Sequence, residues 1–318
     1  MDYREKCKSA IYAAIIGDAL GVPVESSTRA ELALASVKNM FGLGRYDMPQ
    51  GTWSDDTSMI LCTMDSLCRG YDLEDLANTY SDWLFNGKWT PSGFAFDAGI
   101  TTVTALEGIR DKSATPLSSG GITEYDNGNG SLMRILPAAI WFAGLTTEDF
   151  IGRIHEISAI THAHPRTLIG CGIYALMIRE IIAGADKSEA IRKAVGTAAS
   201  FYGAKKQFAN ELLHYNRIIS LSIPQMTIDE IESSGYVVHT IEASLWCVLR
   251  HDTTEKILLE AVNLGLDTDT TGTVAGALAG LLYGLDGIPA DWTSALARKD
   301  EIDELTGRFL DAAGARNC

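Results

Sequence analysis

The chain has 318 residues, of which 46% are apolar and 21% charged. This balance is ordinary for a soluble globular protein and excludes a mainly disordered chain. The chain has 26 Lys and Arg residues against 41 Asp and Glu residues, a formal net charge of −15. The acidic balance argues against direct nucleic-acid binding, because neutralising phosphates requires basic side chains.

Neither a targeting segment nor a membrane segment is expected. Residues 1–14 mix both charge signs and contain no long apolar run, unlike a secretory signal. The uncharged stretch between Asp269 and Asp286 is rich in Gly and Thr, and it falls short of the roughly 20 apolar residues that a membrane span needs. The cysteines show no CxxC spacing, which favours reduced thiols and a cytoplasmic location. They are Cys7, Cys62, Cys68, Cys171, Cys247 and Cys318.

Helical periodicity dominates the chain. The first helix is predicted over residues 3–16, and the next begins after the N-cap Ser54, with Gly70 as its stop. A third helix is predicted from Asp72 to Asn86. Further helices are predicted at 97–111, 131–143, 147–160, 166–183, 187–202, 238–250, 253–264, 270–283 and 291–312.

Signals for β-structure and for separate domains are weak. Only residues 220–228 alternate between apolar and polar side chains, and Pro224 interrupts them. No strand precedes a GxGxxG pattern, which excludes a Rossmann or P-loop fold. We therefore predict an all-α, single compact multi-helix domain over 1–318. Pro137 is expected to kink or offset its helix, and the polar, Gly-rich stretch 113–130 is the longest predicted loop.

Glycine recurs at every fourth residue in the predicted helix over 270–283 and just beyond it. This spacing lines one helix face with hydrogen atoms in place of side chains. We predict that a neighbouring helix packs closely against this face and that the segment is buried. The residues are Gly272, Gly276, Gly280 and Gly284.

Two acidic clusters each open an otherwise apolar helix: SDDT at 54–57 and DTDT at 267–270. Helix capping explains either cluster alone. Neither has a Lys or Arg within five residues, and carboxylates held together repel unless cations pair with them. If the two helix openings meet in the fold, they supply four carboxylates and several hydroxyls. Such an all-oxygen set suits Mg²⁺ or Mn²⁺ rather than Zn²⁺.

Three further segments are candidates for the site. Glu25 follows a helix exit with two glycines, although most glutamates are simply exposed surface residues. The NGNGS segment at 127–131 precedes an apolar helix, so it is either a phosphate-binding loop or a plain turn. THAHP at 161–165 brings two imidazoles together before a helix start. Without a third His or Cys at ligand spacing, hydrogen bonding is favoured over zinc binding.

Taken in order, six motifs resemble those of the ADP-ribosylglycohydrolase family, over residues from about 10 to 285. The resemblance implies an all-α fold around a central site for two Mg²⁺ or Mn²⁺ ions. It also implies an enzyme that cleaves the bond between ribose C1″ of ADP-ribose and an acceptor, on a protein or a small molecule. The motifs are GDALGVPVE (17–25), GTWSDDTSM (51–59), NGNGSLMR (127–134), THAHP (161–165), GYVVHTIEASLW (235–246) and NLGLDTDTTGTVAGALAG (263–280).

The same resemblance implies roles for individual residues. The implied metal ligands are Ser54, Asp55, Asp56, Asp267, Asp269 and Thr270. The implied catalytic residues are Glu25, which gates the site or joins the proton chemistry, Asp56, and Asp97 as an acid or base. The implied substrate contacts are Asn129, Gly130 and Ser131 along the diphosphate and ribose, His162 beside the ADP-ribose, and Tyr236 against the adenine.

Two departures from the family pattern bear on the acceptor rather than on the metals. Leu266 stands where many members have a glycine, and Asn127 stands where some carry an aromatic residue.

Two other functions remain open. One is a non-catalytic ADP-ribose-binding or structural protein on the same scaffold, like the lens crystallins of the family. The other is a two-metal nucleotide phosphoesterase. The sequence indicates neither the acceptor nor the oligomeric state.

Overall fold

The structure is a computed structural model that describes residues 1–317, so Cys318 lies outside the described residues. Within this range no β-strand forms, and short 3₁₀ turns replace the alternating segment 220–228. The predicted all-α character is confirmed. The helices are α1 (Tyr3–Gly21), α2 (Arg29–Leu34), α3 (Asp55–Cys68), α4 (Leu73–Asn86), α5 (Ile100–Arg110), α6 (Leu136–Trp141), α7 (Thr147–Ala159), α8 (Pro165–Ile182), α9 (Lys187–Gly203), α10 (Lys206–Ala209), α11 (Asn216–Ile219), α12 (Val237–Arg250), α13 (Thr254–Val262), α14 (Thr268–Tyr283), α15 (Ala290–Ala295) and α16 (Lys299–Asn317).

Side-chain caps determine where α3 and α4 begin, as predicted. The Ser54 hydroxyl accepts a hydrogen bond from the backbone N–H of Asp56 at the start of α3. The Asp72 carboxylate accepts from two backbone N–H groups at the start of α4, which ends at Gly87 with φ +71°. Left-handed φ values favour glycine, which explains why α4 ends there.

Helix α1 extends to Gly21, beyond its predicted end at residue 16, and α5 begins at Ile100, after its predicted start at residue 97. Two other predicted helices differ more from the observed ones. The helix expected over 131–143 begins only at Leu136, with Pro137 in its first turn. Proline is tolerated there because that backbone position has no intrahelical N–H bond to lose, so Pro137 starts the helix and does not kink it. The helix expected over 291–312 is divided into α15 and α16. The chain is extended at Leu296 and left-handed at Arg298, with φ +55°.

The glycine face of α14 packs against α1. A methyl group at Gly276 would overlap the backbone carbonyl of Ala13. Gly284 differs from the other three glycines because it is the residue at which α14 ends. The predicted close approach of a neighbouring helix is confirmed at Gly272, Gly276 and Gly280.

This helix pair brings the two acidic openings together. Helices α1 and α14 run antiparallel, so the C-terminal end of α1 lies at the start of α14, with Gly21 against the backbone of Asp269. The Asp18 carboxylate, in the last turn of α1, accepts hydrogen bonds from the backbone N–H groups of Ser54 and Thr57, each at 2.9 Å. The start of α3 is therefore held beside the start of α14.

Helix α1 is the part of the chain that most resembles a membrane span. By length and composition the segment Tyr3–Val24 could cross a membrane, and 94% of its apolar window is buried inside the protein. It belongs to one apolar core cluster that extends from Cys7 to Ala313. A central position in that core accounts for its hydropathy. The five cysteines among the described residues are free thiols.

We predict that Gly276→Ala lowers the free energy of unfolding by about 1–3 kcal/mol, because the added methyl forces α1 and α14 apart. Gly196→Ala is the matched control, since Gly196 is exposed in α9 and a methyl there meets no atom within 4 Å. The control should gain about 0.5–1 kcal/mol from the better helix propensity of alanine. Urea unfolding measures both. A Gly276→Ala variant as stable as the wild type would contradict the packing.

Candidate active site

A cavity of about 520 Å³ opens where the starts of α3 and α14 meet. Cavities of this size accommodate small ligands and cofactors. Its wall includes part of the exposed loop before α6 and the segment before α14. The predicted site residues that line it are Glu25, Asp55, Asp97, Asn129, Gly130, His162, Asp267 and Thr270.

The two acidic clusters are in direct contact at the cavity floor. The Thr270 hydroxyl donates a hydrogen bond to Oδ2 of Asp56 at 3.3 Å, across 214 residues of chain. The Ser54 hydroxyl donates to the same oxygen at 3.3 Å. Asp56 and Asp269 are each only 1% exposed. The two helix openings therefore meet in the fold, as they must if the two acidic clusters are to form one site.

Negative charge is concentrated in this floor. Burial raises the pKa of the Asp55, Asp56 and Asp269 carboxyls well above the usual range, and repulsion from neighbouring carboxylates adds to the effect. Between residues 1 and 317 no Lys, Arg or His side chain forms an ion pair with any of the three. Buried carboxylates without cations are costly.

Two oxygens in the floor fit a hard cation. Oδ1 of Asp56 and Oδ2 of Asp269 are buried without any hydrogen-bond partner. A carboxylate oxygen can only accept a hydrogen bond or bind a cation. Among the described residues, no group of three or more His, Cys, Asp and Glu side chains is placed to hold a metal ion. The all-oxygen donor set fits Mg²⁺ or Mn²⁺.

Asn129 connects the loop before α6 to the acidic floor. Its backbone N–H donates to the carbonyl oxygen of Gly235 at 3.0 Å, and its side-chain amide donates to Oδ2 of Asp267 at 2.6 Å. The same amide group donates to the Thr240 hydroxyl at 2.9 Å. Asn129 therefore orients the Asp267 carboxylate in addition to lining the cavity.

His162 is a neutral group in the cavity wall. Burial lowers the pKa of its imidazole to about 3, and the nearby Arg134 guanidinium lowers it further. Its Nδ1 is hydrogen-bonded to the Thr161 hydroxyl at 2.7 Å. The second imidazole of the motif, His164, instead caps α8 by accepting from the backbone N–H of Arg166. Both histidines are hydrogen-bonded to protein groups, which agrees with the interpretation favoured from the sequence.

Two predicted substrate contacts lie away from the cavity lining. The Ser131 hydroxyl is buried and accepts a hydrogen bond from Ser158 at 2.8 Å. The Tyr236 ring packs edge-on against His239, with centroids 4.9 Å apart. Because the next helix begins only at Leu136, no helix N-terminus follows the NGNGS loop directly. The NGNGS loop therefore does not adjoin a helix start, and its role in phosphate binding stays a prediction.

Of the two departures from the family pattern, only one faces the cavity. Leu266 lines it, is 43% exposed and has φ +60°, a left-handed conformation that favours glycine. The Asn127 side chain instead points inward, donating to the carbonyl oxygen of Glu124 and accepting from the Thr167 hydroxyl.

Several residues at the site were not predicted. Asp18 holds the start of α3, and burial raises its pKa to about 6. Its sequence signal is an acidic residue inside an otherwise apolar helix. The Tyr46 hydroxyl contacts both Glu25 and Asp97, and no local pattern marks it. Tyr125 lines the cavity mouth and is 95% exposed.

Comparison with known proteins identifies relatives over nearly the whole chain. A family model described as ADP-ribosylglycohydrolase matches residues 1–317. The chain is 32% identical over 313 residues to the ADP-ribosylarginine hydrolase Tri1 of Pseudomonas putida (strain GB-1), covering 97% of this chain and 79% of that protein. It is 32% identical over 312 residues to the ADP-ribosyl-(dinitrogen reductase) glycohydrolase of Rhodospirillum rubrum, covering 97% and 95%.

A solved structure shares the fold. The chain called an ADP-ribosylglycohydrolase-related protein complex superposes with a TM-score of 0.81 at 29% identity, covering 98% of this chain and 99% of that one. Family model, relatives and fold agree over nearly the full length. The chain is therefore an enzyme of the ADP-ribosylglycohydrolase family.

Proposed function

We propose that the protein hydrolyses the bond between ribose C1″ of ADP-ribose and an acceptor, releasing ADP-ribose. The observation that carries this proposal is the contact between the two acidic helix starts, Thr270 to Asp56, at the floor of the cavity. The names of two relatives, which refer to ADP-ribosylarginine and to ADP-ribosylated dinitrogen reductase, support it. The substrate class we propose is an ADP-ribosylated protein or small molecule.

Two divalent cations, Mg²⁺ or Mn²⁺, complete the proposed site. Uncompensated charge and two partnerless carboxylate oxygens support this assignment. When bound, such a pair of ions acts as a Lewis acid toward substrate oxygens and lowers the pKa of water. The residues that would hold the ions are Ser54, Asp55, Asp56, Asp267, Asp269 and Thr270.

The other site residues would orient a metal ligand and transfer a proton. Asn129 would keep the Asp267 carboxylate aimed at the floor. In the reaction, the oxygen of a water molecule bonds to C1″ while the bond from C1″ to the acceptor nitrogen or oxygen breaks. The water proton passes through Glu25 or Asp97 to the acceptor. Burial raises the pKa of both carboxyls, and a raised pKa suits groups that exchange protons near neutrality.

Two alternatives predict different behaviour. A non-catalytic protein on this scaffold does not need its acidic floor, yet here all six implied metal ligands lie at the two helix starts that meet. A nucleotide phosphoesterase would release inorganic phosphate or AMP.

Leu266 is the one departure from the family pattern that faces the cavity, so we propose that it contributes to the choice of acceptor.

We predict that the protein releases ADP-ribose from at least one member of a panel of ADP-ribosylated acceptors (arginine, serine, other side chains, a nucleic-acid base and small metabolites). Chelator should abolish the release and Mg²⁺ or Mn²⁺ should restore it. Asp269→Asn should lower kcat at least about 10²-fold, because it removes one of the proposed ligands of the ions that activate water. Chromatography of the products measures release.

The matched control is Asp229→Asn, since Asp229 is exposed and does not line the cavity. It should retain the wild-type rate. Release of inorganic phosphate or AMP in place of ADP-ribose would favour the phosphoesterase, and an Asp269→Asn variant with wild-type turnover would refute the proposed site.

A second prediction concerns stability in the absence of metal. Because folding raises the pKa of the floor carboxyls, the unfolded chain gives up those protons at lower pH than the folded protein. As the pH rises above about 4, these carboxyls therefore lower the free energy of unfolding and destabilise the folded protein. In chelator, Asp56→Asn should melt above the wild type at pH 7, and the difference should shrink toward pH 4.

Adding Mg²⁺ at pH 7 should raise the wild-type melting temperature, since the ions bind only the folded protein. Asp56→Asn should show a much smaller rise. Thermal unfolding with and without chelator measures both effects. An Asp56→Asn variant that melts below the wild type in chelator and responds fully to Mg²⁺ would contradict the assignment.

A further inference from the structure

Tyr46 does not line the cavity, but it contacts two acidic side chains that do. Its hydroxyl is hydrogen-bonded to Glu25 and, at 2.6 Å, to Oδ1 of Asp97. Both carboxylates line the cavity, whereas Tyr46 does not. We propose that Tyr46 is a positioning residue that holds Glu25 and Asp97 together for the proton transfer. This inference rests on the proposed hydrolysis.

Contacts of the Tyr46 ring and of the turn that precedes it place Tyr46 between the two acidic segments. On one side the ring contacts Phe96, the neighbour of Asp97, with centroids 5.0 Å apart. On the other side the 3₁₀ turn that ends at Tyr46 packs against the segment before Glu25. A methyl group at Gly44 would overlap the carbonyl oxygen of Pro23.

The two acidic side chains come from segments that need such an anchor. Asp97 has φ +62°, and Ser26, next to Glu25, has φ +66°. Left-handed backbone is unfavourable for residues with a Cβ atom and persists only where surrounding contacts hold it. Neither Glu25 nor Asp97 lies within an α-helix. The Tyr46 hydroxyl is the side-chain group that joins them.

The number of hydrogens shows why a phenol suits this position. A phenol has one O–H hydrogen, so it can donate to only one carboxylate at a time, while its oxygen can accept from a protonated carboxyl group. Glu25, Tyr46 and Asp97 therefore form a chain of three oxygen-bearing groups that can hold a hydrogen at either end. A pair of carboxyl groups that takes a proton from water and delivers it to the acceptor needs this arrangement kept in place.

Tyr46→Phe tests the inference, because phenylalanine keeps the ring contact with Phe96 and removes only the hydroxyl. We expect kcat for ADP-ribose release to fall at least about tenfold. The KM of the substrate and the calorimetric Kd of ADP-ribose should change less than about threefold, since Tyr46 does not line the cavity. The melting temperature should shift by less than about 3 °C.

Tyr71→Phe is the matched control. The Tyr71 hydroxyl also donates to a glutamate, Glu156, at 2.6 Å, away from the cavity lining. This variant should keep the wild-type kcat. If removing any partly buried tyrosine–carboxylate bond lowered turnover, both variants would lose activity, and the specific role of Tyr46 would be refuted.

A double-mutant cycle separates positioning from a merely structural effect. In an Asp97→Asn or Glu25→Gln background, whichever keeps measurable turnover, Tyr46→Phe should cost less than about threefold, because it acts through the carboxylate already removed. If Tyr46→Phe lowered kcat by the same factor in the wild-type background and in the carboxylate-variant background, the proposal would be overturned. If neither background turns over, the kcat-against-KM split of the single variant decides.

The outcome also distinguishes this inference from the proposed function. A Tyr46→Phe enzyme with wild-type kcat overturns the role of Tyr46 and leaves the hydrolase standing. A wild-type protein that releases no ADP-ribose from any acceptor overturns both.

Discussion

Carboxylates repel one another when water is withdrawn from them, and this fold buries several at one point. Asp18 lies in the last turn of α1, Asp55 and Asp56 lie in the first turn of α3, and Asp269 lies in the first turn of α14, all at most 6% exposed. Asp18 is stabilised by the N–H groups of α3 that it caps. The positive ends of α3 and α14 both face the cluster and offset part of its charge. The remaining charge favours a bound cation, which supports the metal-dependent hydrolysis that we propose.

The glycine face of α14 makes that convergence possible. Side chains at Gly272 or Gly276 would separate α1 from α14, and Asp18 would then move away from the backbone of α3. The cavity above the floor is completed by loops, which carry Glu25, Asp97 and Asn129. The helices thus hold the charged floor in place, and the loops supply polar groups that line the cavity above it.

The sequence predicts those parts of this arrangement that depend on local patterns. Ser54 and Asp72 cap helices as expected, because capping needs only a side chain and the next backbone turn. Periodicity predicts Pro137 inside a helix, whereas it lies in the first turn, because periodicity alone does not reveal where a proline-containing helix begins. Tyr46 lies 21 residues from Glu25 and 51 from Asp97, and no local pattern indicates such contacts. The inward rotation of the Ser131 hydroxyl likewise follows from packing against Ser158.

We propose that the acidic floor binds a pair of hard divalent ions. Isothermal titration of chelator-treated protein with Mn²⁺ counts these ions without needing a substrate. We expect about two ions for each wild-type chain and fewer for a chain in which Asp56 and Asp269 are both replaced by Asn. A wild-type chain that binds no Mn²⁺ and no Mg²⁺ while remaining folded would contradict it.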